Sequence, residues 1–383
     1  MVKKIARILI ISVFAISLLG FSQPPMPPKS GEIVRVAIAR GKPSVMLVIK
    51  GPFSIYSLGT NELLSEYKGL GNSAVTPTNF GIQIGPYIYL KVFGIKIMPK
   101  RDAAIYIDKR RFRGQVDIIR QQDKTLLVVN HIDVENYIRG VLYHEVSHKW
   151  PLEAIKAQAV AARTYALYQK KGSEKNDYDL TNDIYSQVYG GQTSEKYRTN
   201  KAVSQTLGEY LTYNAEIFPT YFHANCAGHT EDAAKLWNID LPPLKGKPCD
   251  FCAKSPHSKW KINLRLADIQ VKLIKSGREI GLIKEIHVLE RNNSGRVDKL
   301  EIIDRRGSKI YISGKDFRMV VGPNIIKSTN FNVIMRGYYV DFEGKGWGHG
   351  VGLCQWGAKS MSECGFKYDE ILKYYYPGSE ITK

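Results

Sequence analysis

A chain of 383 residues is long enough for two or three domains, each with a well-buried core. Its 44% apolar and 24% charged residues are ordinary for a globular protein. The formal net charge of +19 is the informative number, because it favours polyanionic partners: nucleic acid, acidic lipid or anionic wall polymer.

Residues 1–30 read as a secretory signal followed by a Pro-rich spacer. Lys3, Lys4 and Arg7 precede an apolar run from Ile8 to Phe21, and Gly20 and Ser22 stand at cleavage spacing. An uncleaved membrane anchor is the alternative, although the run is short for a span. The expected location is outside the cytoplasm, in periplasm, wall or medium. Export removes nucleic acid from the expected partners and leaves a wall polymer as the match for the charge.

Residues 31–130 form a β-rich N-terminal part. VRVAIA, VMLVIKG and AAIYID are short β-branched runs, and VDIIRQQDKTLLVVN reads as two strands around a QQDK turn. The pattern then turns helical at 133–171. Residues from KWKINLRL to about 340 are β-like again, with turns at RNNSGR and RRGS, and KYDEILKYYYPG ends as a helix stopped by Pro377-Gly378. The class is α+β: a β-rich part, then a mixed α/β domain at 131–383 that carries a β-rich insertion at about 260–340.

Asp133 is a fitting N-cap for a helix starting at Val134. Val134, Ile138 and Val141 share one face, and Glu145 continues it. A carboxyl on an apolar stripe is partly desolvated, so it holds a proton near neutral pH and can serve as a general acid. The bland alternative is a carboxylate paired with Lys149 or Arg163. Trp150-Pro151 ends this helix, and an Ala-rich helix follows from Leu152 to about Lys170. Its packed stripe is Leu152, Ile155, Ala159, Ala162 and Ala166, with Arg163 at the edge.

Glu145 also lies in HEVSH. His144 and His148 at i and i+4 can bind zinc with the glutamate as base, as in a zinc protease. Pro151 follows closely, and only loop residues offer a third ligand.

Cys226-Ala-Gly-His229 and Cys249-Asp-Phe-Cys252, nineteen residues apart, form two chelating pairs. They predict a structural Cys3His zinc site within a loop at 223–257, with His223 and His257 in reserve. A disulfide is the alternative in an exported chain. Cys354 reads as a small buried thiol rather than a nucleophile paired with His349. Alternating Gly346, Gly348, Gly350 and Gly352 do not fit a dinucleotide fingerprint and would let backbone pack closely while presenting Trp347 and His349.

ENYIRGVLYHE, WPLEAIKAQAVAARTYAL, YSQVYGG, GHGVGLCQWGAKSM and EILKYYYPG, in that order, resemble the stage II sporulation protein D / amidase-enhancer (SpoIID/LytB) family over roughly residues 31–383. The resemblance implies a lytic transglycosylase that cuts peptidoglycan glycan strands, preferentially peptide-stripped ones, to 1,6-anhydro-muramic ends. It places the catalytic glutamate at Glu145 and supporting basic residues at Lys156 and Arg163. Gln187, Tyr189 and His349 become candidate sugar contacts. The histidines beside Glu145, the absence of a Cys-rich loop before residues 185–189 and Cys354 in place of Ser or Thr all depart from the family pattern. A glycan-binding, non-catalytic enhancer of an N-acetylmuramoyl-L-alanine amidase is the second reading, and a zinc protease the third.

Overall fold

The computed structural model describes residues 31–183 and 186–383; the expected signal at 1–30 lies outside them. Among the described residues no helix is long and apolar enough to cross a membrane. The class is α+β, with extensive sheets and eight α-helices among those residues.

Strands between Ile33 and Asp133 form two layers. One sheet orders its strands 180–181, 33–42, 126–133, 115–120, 94–99, 53–57 and 63–67; the other runs 110–112, 104–107, 45–50, 70–77, 81–84 and 87–90. Strand 45–50 shows why the layers pack: Val45, Leu47 and Ile49 are buried, and the residues between them are not. Both inner faces share one apolar core, and that core continues through Ile138, Val141, Ile155 and Ala162 of the following helices. The β layers are therefore the bed on which the helices lie.

Helix α1 (Val134–Glu145) starts where expected. Asp133 Oδ1 accepts from the Asn136 N–H at 3.0 Å, and strand 126–133 runs directly into the helix. Val146 is extended (φ −138°, ψ 151°), so α1 stops at Glu145. Helix α2 (Leu152–Gly172) is buried on every side from Ala157 to Ala166, not along one stripe. It is the central helix of the unit, and its alanines let α1, α3 (Tyr197–Gln205) and the helices Gln355–Glu363 and Tyr368–Tyr375 approach closely.

The region after residue 260 has its own core, built on Leu273, Leu300, Phe317, Phe331 and Phe342. It has two three-stranded sheets (260–265, 331–336 and 339–344; 283–291, 297–304 and 309–313), and RNNSGR and RRGS form the two turns of the second. It also holds two helices absent from the sequence reading, Leu266–Lys275 and Gly314–Val321.

Candidate functional site

A cleft of about 1080 Å³ opens where α1 ends. Glu145 lines it together with Trp150, Trp237, His349, Gln355 and Trp356, and the far wall is the Gly314–Val321 helix with Lys315 and Arg318. The stripe of Val134, Ile138 and Val141 anchors α1 in the core, so its last residue is delivered to the cleft at a fixed depth. Burial pushes the Glu145 carboxyl up to about 7 from 4.5, partly offset by the Val188 N–H and by Gln355 Nε2 at 3.5 Å from Oε2. No cation pairs with it in the described structure. A carboxyl that is half protonated near neutral pH can both give and accept a proton there.

Aromatic rings line the same cleft. Trp150 and Trp356 meet edge to face at 5.2 Å, and Tyr221 lies against Trp237 at 4.4 Å. His349 stands between His223 and Trp237. Val351 fixes both imidazoles: its N–H donates to His349 Nδ1 (3.1 Å) and its carbonyl accepts from His223 Nδ1 (3.0 Å). Burial keeps both rings neutral, holding His223 down to about 3 and His349 well below 6.5. The alternating glycines around them all have positive φ, 78°, 108°, 95° and 70° at positions 346, 348, 350 and 352. A Cβ at Gly352 would also sit 2.1 Å from the Tyr221 carbonyl oxygen, so this loop needs glycine for both conformation and space.

Of the expected substrate contacts, His349 lines the cleft with Glu145 and four others lie elsewhere. Arg163 is 1% exposed, and its Nε and Nη2 each donate to a Glu135 oxygen at 2.7 Å. Its Nη1 donates to the Glu209 carbonyl. Lys156 pairs with Glu153 at 2.7 Å and lies over the Tyr368 ring. Gln187 is buried, accepting from Tyr137 Oη and donating to the Ala162 carbonyl. Tyr189 is buried too, its hydroxyl donating to Asn130 Oδ1. Arg163, Gln187 and Tyr189 are tied into the core, and Lys156 lies nearer the surface beside Tyr368. Glu135, Gln355 and Trp356 were given no role by the sequence, although the first opens ENYIRGVLYHE and the other two stand in GHGVGLCQWGAKSM.

The H-E-x-x-H geometry is not formed. His148 lies beyond the end of α1, its ring against Tyr143, while His144 Nε2 bonds Ser194 Oγ at 2.7 Å. The two imidazoles therefore do not share a helical face.

The cysteine cluster differs from the expected ligand set in one member. Cys226, Cys249, Cys252 and Cys354 are all buried, with their sulfurs within 4.8 Å of one another; His229 is not in the group, and its Nδ1 bonds the Thr230 carbonyl. The cause is a pairing across the chain. Parallel strands 222–223 and 353–354 set His223 beside Cys354, which carries the thiol to Cys226. All five cysteines are unpaired by disulfides. Zn–S bonds of about 2.3 Å imply sulfur separations of about 3.8 Å in a tetrahedron, and Cys226 and Cys252 stand 3.4 Å apart. The group can hold a metal.

A family model described as "Stage II sporulation protein" matches residues 122–213, and one described as "Domain of unknown function (DUF8618)" matches 251–352. An uncharacterised protein of Brachyspira hyodysenteriae is 32% identical, covering 91% of this chain and 93% of that protein. The amidase enhancer of Bacillus subtilis is 29% identical over 64% of this chain, which spans only 40% of that protein's length. The stage II sporulation protein D of Bacillus subtilis is 30% identical, covering 67% of this chain and 76% of that protein. Together with the ordered motifs, these similarities make the chain a member of the stage II sporulation protein D / amidase-enhancer family.

Proposed function

We propose that this chain is an exported cell-wall protein whose cleft takes peptidoglycan glycan strands and that works alongside an N-acetylmuramoyl-L-alanine amidase. The similarity to a protein named amidase enhancer supports the partnership most directly. The aromatic walls of the cleft suit the apolar faces of sugar rings. A pure enhancer needs nothing more. The Cys cluster fits a structural zinc ion, whose chemistry would be to fold and clamp its loop. The β-rich part, the helical unit and the insertion are proposed to divide near residues 130, 260 and 340.

The geometry supports one further step, cleavage, and Glu145 carries it: a single carboxyl raised to about 7 in a sugar-sized cleft, without a cationic partner. Protonated Glu145 donates to the glycosidic oxygen, and the C1–O bond breaks with its electron pair going to the leaving sugar. The carboxylate then takes the proton of the C6 hydroxyl as O6 bonds C1, closing a 1,6-anhydro ring without water. The acid form is required, so cleavage should fall as pH rises past about 7.

Glu145→Gln separates enhancement from cleavage. If the variant loses glycan release and amidase stimulation together, cleavage underlies the enhancement. If stimulation persists and the wild type releases no glycan, the protein is a binding enhancer only.

A further inference from the structure

The cysteine cluster lies one residue from the partner of Glu145. Cys354 is the residue before the Gln355–Glu363 helix, and Gln355 is the first residue of that helix. Gln355 Nε2 faces Glu145 Oε2 at 3.5 Å and Gln158 Oε1 at 3.4 Å. Trp356, next along, lines the cleft, and its N–H donates to the Ala224 carbonyl. On the other side of the cluster, the Cys226 N–H donates to Cys354 Sγ at 3.3 Å, and Asn225 pairs with Trp347 of the cleft wall.

A second, independent observation points to negative charge at the cluster. Arg296 comes from the RNNSGR turn of the insertion and is 0% exposed. Its Nη2 donates to the Cys226 carbonyl (2.7 Å) and its Nη1 to the His229 carbonyl (2.9 Å), while Nε has no partner. A buried guanidinium held only by carbonyls is costly unless anionic charge lies close. Buried Glu231 supplies some, although its oxygens already accept from Asn292, Ser294 and the Asp232 N–H. Four thiolates around one divalent ion carry a net charge of about −2, which supplies the rest.

We propose that Cys226, Cys249, Cys252 and Cys354 hold one tetrahedral, zinc-class divalent ion, and that this centre positions the cleft. Through Cys354 it sets Gln355 against Glu145. Through Cys226 and Arg296 it fixes the insertion that forms the far wall. Gln355 is a positioning residue in this account, and only that part rests on the role proposed for Glu145.

Two measurements on the full chain test it. Metal content of protein purified under reductant, with cobalt(II) as spectroscopic substitute, reads the ligand set. One ion per chain is expected, with the absorption of tetrahedral thiolate cobalt, unchanged in His229→Ala and Cys364→Ser and lost in Cys354→Ser. Metal lost in His229→Ala, a wild-type chain that takes up no cobalt, or a mass showing two disulfides in place of four thiols overturns the site. Because the wild type and His229→Ala carry this outcome, misfolding of Cys354→Ser does not blunt it. The second measurement is an NMR titration of the Glu145 carboxyl, which needs no glycan cleavage. Gln355→Leu should keep its metal and raise the Glu145 pKa by roughly half a unit, because a donor to the charged form is gone. An unmoved titration removes Gln355 from the account, whether or not the wild type cuts glycan.

Discussion

Helix α1 carries a carboxyl near each end, Glu135 buried and Glu145 half-buried, and the two have opposite fates. Glu135, in the first turn, is gripped by Arg163 Nε and Nη2 and by the Gly208 N–H. Glu145, at the last position, has one long amide contact and one backbone N–H, and it faces the cleft. The partner makes the difference. Held by a bidentate arginine, Glu135 is a structural clamp, whereas the Glu145 carboxyl, with no cation beside it, is pushed up by desolvation and is available for chemistry.

The largest expected effect comes from breaking the clamp. Arg163→Met strands Glu135 in the core and should lower stability by about 3–5 kcal/mol, read as the shift in a urea unfolding midpoint. If Arg163 instead served substrate, stability would hold and only activity would fall. Glu145→Gln should do the reverse, cutting glycan release by about 10²–10⁴-fold while the fold persists. It should also stabilise. In the fold Glu145 keeps its proton up to about pH 7, against 4.5 as the ordinary value, so the wild type loses stability as pH rises through that window. At roughly 1.4 kcal/mol per unit, reduced because the cleft admits solvent, the variant should gain on the order of 2 kcal/mol above pH 7 and almost nothing at pH 4. Thermal unfolding at both pH values checks the sign. The smallest effect belongs to Lys156→Met, whose partner Glu153 lies on the surface turn before it; below about 1 kcal/mol is expected.

The residues with local causes were legible. Alternation revealed strand 45–50, and Asp133 marked the start of α1. Glu145 could be found because its stripe lies within one helix. Arg163 could not be assigned a partner, since Glu135 is 28 residues away and meets it only when α1 packs on α2. Cys354 is separated from Cys226 by 128 residues, and only the pairing of two short parallel strands joins them; ligand spacing carries no trace of that. The Leu266–Lys275 helix was hidden by composition. Its apolar positions Leu266, Ile269 and Leu273 follow helical spacing, but Ile269, Val271 and Ile274 are β-branched and read as strand.

The central claim is that Glu145 passes one proton out and back while a glycan strand breaks without water. Mass spectrometry of the ends formed on amidase-treated wall glycan tests it most directly. The account predicts 1,6-anhydro-muramic ends with the wild-type chain, none with Glu145→Gln, and a yield that falls above pH 7. Reducing ends alone, or anhydro ends formed equally by the glutamine variant, would contradict it.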